Sequence, residues 1–85
     1  MKAKINDEIW TIYDDQILLE SVEFIGKDSF LIEGHEHKID PEYYYDDYNR
    51  TWWKSFDKAI KEMRKRYGKN IKLKKVKEGW YELDG

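Results

Sequence analysis

His35 and His37 stand two apart in the run Gly34-His35-Glu36-His37. On an extended strand, residues two apart project to the same side, so both imidazoles could converge on one ion. Asp40, or Asp46 and Asp47 further on, could complete a zinc or nickel sphere. The same spacing suits two surface histidines on an edge strand, and a chain with no cysteine lacks the commonest structural zinc ligand. Nucleophilic catalysis has less to draw on. There is no G-x-S-x-G elbow, and of the serines Ser21, Ser29 and Ser55 the last suits a helix cap better than a nucleophile. The five glycines are scattered and form no phosphate cradle. The expectation is a protein without enzymatic activity and without a cofactor, zinc at His35, His37 and Asp40 being the alternative.

Residues 40–53 read DPEYYYDDYNRTWW, with six aromatic rings, four carboxylates and Arg50 in fourteen positions. Tyrosine and tryptophan bury large area at little rotamer cost and dominate binding hot spots. Carboxylates around them suit a basic partner, steering its approach and excluding wrong surfaces. Tyr43, Tyr44, Tyr45, Asp46, Asp47 and Tyr48 are therefore the expected centre of a partner-binding patch, with Asp40, Glu42, Asp14 and Asp15 as steering charge. The competing use of the rings is structural. Trp52, Trp53 and Tyr48 could plug the core, because a chain this short needs a few large side chains. Three consecutive tyrosines cannot all be buried on one strand, since alternate side chains face opposite ways.

The charge is strongly polarised. Residues 1–48 hold thirteen acids against four bases, net −9, and residues 49–85 hold five acids against twelve bases, net +7, leaving −2 for the whole. Arg64, Lys65, Arg66, Lys72, Lys74 and Lys75 could neutralise phosphates, with nearby rings stacking on bases. They could equally form a solvated face that balances the acidic half. A pI of about 5.7 lies well below the usual value for a nucleic-acid binder.

Eighty-five residues make one domain and bury only about 60–65% of the unfolded surface. No apolar run approaches the ~18 residues that span a bilayer, and no signal-peptide core is visible. With no cysteine, the expectation is a soluble chain in a reducing cytoplasm.

The elements that must position these residues are legible from period and punctuation. Glu8–Tyr13 and Gln16–Ile25 are rich in β-formers and flank an Asp14-Asp15 turn. In the second run Leu18, Val22 and Phe24 share one parity and Ile17, Leu19 and Ile25 the other, which predicts a bulge or a strong bend. Gly26-Lys27-Asp28 turns into a third strand at Ser29–Glu33, and Pro41 interrupts pairing before a long loop. From Phe56 the period becomes helical, with Phe56, Ala59, Ile60, Met63 and Tyr67 on one face, Ser55 as N-cap and Gly68 as a left-handed stop. Ile71–Val76, whose alternation slips at Lys74-Lys75, and Trp80–Leu83 close the chain as a hairpin. The predicted class is α+β. It comprises a small curled antiparallel sheet, an Src-homology-like barrel of about five strands, with one amphipathic helix before the C-terminal hairpin.

Lys4-Ile5-Asn6-Asp7-Glu8-Ile9-Trp10 resembles the K-I-G-D-x-V-W turn and strand that opens small barrel-like proteins of Gram-positive bacteria and their phages. Tyr44-Tyr45-Asp46-Asp47-Tyr48-Asn49-Arg50-Thr51-Trp52-Trp53, with Ser55 beyond, resembles their Y-Y-x-D-Y-G-K-T-W-F segment leading into a capped helix. Asn6 and Asn49 replace glycine in these patterns, and asparagine tolerates positive φ, so both turns can form. The resemblance implies a phage or mobile-element setting, in which small acidic proteins counter host nucleases, anti-CRISPR proteins among them. The expected function is a non-enzymatic binding protein of the bacterial cytoplasm. Its acidic, aromatic surface would occlude the nucleic-acid site of a basic host defence protein such as a CRISPR effector nuclease, imitating the charge spacing of DNA. The alternative is a small nucleic-acid-binding barrel using the lysine-rich half.

Overall fold

A computed structural model describes residues 2–33 and 41–84. The strands are β1 (Glu8–Tyr13), β2 (Gln16–Ile25), β3 (Ser29–Ile32), β4 (Glu42–Tyr44), β5 (Trp52–Trp53), β6 (Leu73–Lys77) and β7 (Trp80–Leu83), with helix α1 (Phe56–Tyr67) between β5 and β6. Five strands form one curled antiparallel path in the order β4-β3-β2-β1-β5, and the β6–β7 hairpin joins it through β7 against β2. The class is small α+β, as the sequence predicts.

Strand β2 organises the sheet. Along Gln16–Ser21 it pairs with β1, while Gln16–Leu18 also pair with β7 and Val22–Ile25 pair with β3. The ten residues of β2 serve three partners because β7 and β3 pair with successive stretches of it, and within the β3 pairing the register shifts between Val22 and Phe24. That is the bulge the parity change predicts, and it turns Phe24 out to solvent instead of leaving it beside buried Val22. A second register shift, between Lys75 and Lys77, accounts for the slipped alternation in β6.

The aromatic-acidic stretch is not a loop. It contributes β4, a 3-10 turn over Tyr45–Asp47, and β5. Strand β5 is only two residues long, yet its side chains point into two separate cores. Trp52 is fully buried with Ile9, Val22, Phe30, Ile32 and Tyr45, whereas Trp53 is buried with Ile17, Ala59 and Met63. Strand β1 alternates in the same way, with Ile9 in the first core and Trp10 and Ile12 packed against the second. The paired β1–β5 ribbon is a wall with a core on each side. Ordinary hydrophobic periodicity misses β5 because both of its positions are apolar.

Two asparagines make the turns that a glycine would otherwise make. Asn6 and Asn49 both adopt φ 71°, and the turns close through Asp7 N–H to Lys4 O (3.0 Å) and Asn49 N–H to Trp52 O (2.8 Å). Gly79 at φ 76° has a stricter reason, since a Cβ there would meet Leu19 Cβ at 3.0 Å.

Helix α1 starts where Ser55 Oγ accepts the Lys58 N–H, with Asp57 in its first turn and Arg64, Lys65 and Arg66 in its last, as the macrodipole favours. Ala59 and Met63 are its buried residues. Tyr67 stays about half exposed but donates its hydroxyl to the Asp14 carbonyl at 3.0 Å, tying the helix end to the β1–β2 hairpin. Gly68 does stop the helix and its N–H reaches Arg64 O, but at φ 121° and ψ 157° it leaves in an extended mirror-image conformation rather than the left-handed helical one expected.

Replacing Ser55 by Ala should cost about 1 kcal/mol, lowering Tm by about 4–8 °C. Met63→Ala should cost about 2–5 kcal/mol, because the site is fully enclosed and cannot refill. Calorimetry or urea melts of both variants check the ranking, and equal losses would contradict this account of the helix.

Candidate functional site

The β3–β4 register sets Ser29 opposite Tyr44, Phe30 opposite Tyr43 and Leu31 opposite Glu42. Directly paired residues share a face of the sheet. Tyr43 therefore turns inward with Phe30, their rings stacked at 6.1 Å between centroids, and Tyr44 turns outward with Ser29, Leu31 and Glu42. On the other side of β3, Leu31 is paired with Phe24, which the bulge has turned out. The result is a row on the outer face of β2, β3 and β4 in which Phe24 is 59% exposed, Leu31 37% and Tyr44 49%. Ser29 Oγ donates to one oxygen of Glu42 at 2.6 Å and Tyr44 Oη to the other at 3.3 Å, so this carboxylate is held between the rings and the sheet. Glu23, Asp28, Glu33 and Asp46 are exposed around the same strands and turns.

The expected patch is thus divided. Tyr45 is only 7% exposed, packs its ring 5.7 Å from Phe30 and donates its hydroxyl to Gly26 O at 3.1 Å, so it belongs to the core. Tyr48 leans on Trp52 at 4.7 Å with the Lys58 ammonium 5.6 Å from its ring centre. Asp47 is partly covered and paired with Arg50 at 3.3 Å, while Asp46 is exposed. Asp14 and Asp15 are exposed at the opposite end of β2, roughly 30 Å of strand away. They cannot share one compact contact with Tyr44. Phe24 and Leu31 were not expected at all. Sequence parity places Phe24 on the same face as Val22, and it is the bulge between them that turns Phe24 out.

The basic candidates are divided as well. Arg66 pairs with Glu62 at 2.9 Å, Lys74 with Glu82 at 3.3 Å and Lys75 with Glu78 at 2.7 Å. The hydrogen bond and charge of Glu78 raise the Lys75 ammonium above its ordinary pKa, and those of Lys75 lower the Glu78 carboxyl below its own. The carboxylate half of that pair supports the fold above the usual carboxylate range and is lost as pH falls, weakly because both groups are solvated. Lys72 is exposed between helix and hairpin, and Arg64 and Lys65 remain on the helix without acidic partners among the described residues.

No group of three or more histidine, cysteine, aspartate or glutamate side chains gathers as a metal site among the described residues. The His35, His37 and Asp40 candidates lie outside them. No helix among the described residues is long and apolar enough to cross a membrane.

These positions predict opposite outcomes for adjacent tyrosines. Tyr44→Ser should change stability by about 0.5–1 kcal/mol, a surface effect. Tyr45→Ser should cost about 3–5 kcal/mol, as for other buried aromatic truncations, read as a shift in urea midpoint. No protein-family model, no curated protein and no solved structure matches this chain.

Proposed function

We propose that this chain is a non-enzymatic binding protein that docks the outer face of β2, β3 and β4 on a basic partner. The observation that carries the reading is that Phe24, Leu31 and Tyr44, three large side chains, share the outer face of the sheet and stay exposed, Tyr44 lying diagonally from Leu31 across the β3–β4 ladder. Such a row costs solubility unless something covers it, and contiguous exposed apolar surface marks interaction sites. Its surroundings select the partner. Exposed Glu23, Asp28, Glu33 and Asp46 repel acidic surfaces and draw in basic ones, while the row supplies the desolvated centre. Glu42, already held by Ser29 and Tyr44, is ordered before binding, so less entropy is lost on contact.

The sequence resemblance to small barrel-like phage proteins makes a host defence nuclease the partner of choice. A protein that holds DNA or RNA is basic where it does so, and an acidic apolar face seated there would occlude the nucleic acid. In this reading the chain acts in the bacterial cytoplasm as an anti-CRISPR-like inhibitor, and its curled sheet is an Src-homology-like barrel with α1 across one open side. The paired β1–β5 ribbon and the helix hold that barrel rigid behind the contact face.

The double variant Phe24→Ser with Tyr44→Ser should lose about 30-fold or more in affinity for a CRISPR effector nuclease, the scale of a lost hot spot. Cleavage assays and surface-based binding with the purified nuclease read this out. Inhibition that survives in the variant, or no inhibition by the wild type, overturns the proposal. Asp46→Lys should slow association about 3- to 10-fold at low salt and have little effect once salt screens it. A salt-independent change would remove the steering role.

A further inference from the structure

The cations that lack acidic partners gather in one place. Between helix α1 and Trp53 lies an open groove of about 630 Å³, and Lys58, Lys61, Arg64, Lys65 and Lys69 line it. Glu62 is the acid among its lining residues, and its carboxylate is already taken by Arg66 at 2.9 Å. No ion pair joins Lys61, Arg64, Lys65 or Lys69 to an acid among the described residues. A second hollow of about 440 Å³ runs along the helix beside the first and shares Lys58, Lys61 and Arg64. Asp57 also lines the second hollow, so the cations outnumber the acids three to one there and five to one in the first.

This arrangement holds positive charge in a concave place at an energetic cost. Like charges one helical turn apart repel, and a groove with protein walls focuses their field. Lys58 is oriented inside it by Tyr48, whose hydroxyl lies 3.4 Å from the ammonium. From Lys58 to Lys65 the helix rises about 10 Å, the axial span of about three successive phosphates on one B-form strand at ~3.4 Å each. The ring available to the groove is Trp53, but it is 2% exposed and locked in the core, so it has no free face for a base. The groove therefore offers charge contacts and no stacking platform.

We infer that the groove along α1 binds the phosphates of a nucleic-acid backbone without regard to base sequence. Lys58, Lys61 and Lys69 join Arg64 and Lys65, whereas Arg66, Lys74 and Lys75 are engaged by Glu62, Glu82 and Glu78. The site shares no residue with the Phe24–Leu31–Tyr44 row and does not depend on what that row binds.

The test is fluorescence anisotropy of the whole chain with a labelled duplex of about 20 base pairs across about 50–200 mM salt. With three to four phosphates neutralised, log affinity against log salt should have a slope of about −3, a loss of about 60-fold over that range. Lys61→Gln with Lys65→Gln, both exposed and replaced by a good helix former, should flatten the slope by about 2. Lys74→Gln with Lys75→Gln removes the same charge from β6 and should leave the slope unchanged. Circular dichroism establishes that both variants remain folded. Equal flattening in the two variants would mean diffuse attraction and overturn the groove. So would absence of wild-type binding at about 100 μM protein and low salt, the weak end of non-specific affinity. Inorganic tripolyphosphate is the competitor that separates the sources of phosphate. Displacement of the duplex by it at equal or lower phosphate concentration would reassign the groove to free polyphosphate and overturn the backbone assignment.

Discussion

The structure depends on two adjacent tryptophans facing opposite ways. Trp52 and Trp53 form a strand of two residues, and each is almost wholly removed from water. Trp52 meets Phe30 edge-on at 4.9 Å and gives its indole N–H to the Tyr44 carbonyl at 2.8 Å. That bond ties the end of β4 to β5, the two ends of the sheet path. Trp53 lies under Ala59 and Met63 and provides the floor on which the helix sits. A chain of 85 residues is marginal by size, with stability of about 5–10 kcal/mol. Two buried indoles, each contributing several kcal/mol, are a large share of it. The wall they form with β1 divides the interior into two small cores.

Both proposed surfaces follow from that wall. On one side, the first core draws in Tyr43 and Tyr45, so the pleat turns Tyr44 out beside Leu31 and Phe24. On the other side, Trp53 anchors the helix by Ala59 and Met63, and the lysines at the flanking helical positions line a groove over its edge. The dense aromatic-acidic stretch is therefore neither a loop nor a single recognition patch. Its rings mainly build the molecule, and one of its tyrosines, Tyr44, is left largely in solvent.

The polarised charge is resolved in an uneven way. Two of the hairpin lysines have acidic partners, Lys74 with Glu82 in the facing strand and Lys75 with Glu78 in the turn. Exposed pairs of this type contribute little to stability, but they do remove local field. The groove cations of α1 keep theirs. The acidic half is likewise spread between two ends of β2, with Asp14 and Asp15 at one and Asp28 and Asp46 near the other. The molecule has an apolar acidic face and a cationic groove, a combination that linear charge counting reads only as two halves.

Much of the fold was legible because it is local. The helix, its Ser55 cap, the turn at Asp14-Asp15 and the positive φ of Asn6 and Asn49 follow from period, hydrogen-bonding capacity and steric tolerance within a few residues. An irregularity in β2 was also visible, because apolar residues occupy both parities of that run, but its position between Val22 and Phe24 was not. What the sequence could not decide was which side of each strand would be covered, because that depends on the partner across the ladder. Phe24 is exposed because the register places it opposite Leu31, and Tyr45 is buried because Phe30 and Trp52 are already there. The same holds for charge. Lys61, Lys65 and Lys74 look equivalent in sequence, and only the strand pairing puts Glu82 beside one and leaves the other two in a groove without acidic partners among the described residues. Composition and period determined the elements and the inventory of rings and charges. Tertiary packing decided which of them face water, since burial is set by neighbours distant in the chain.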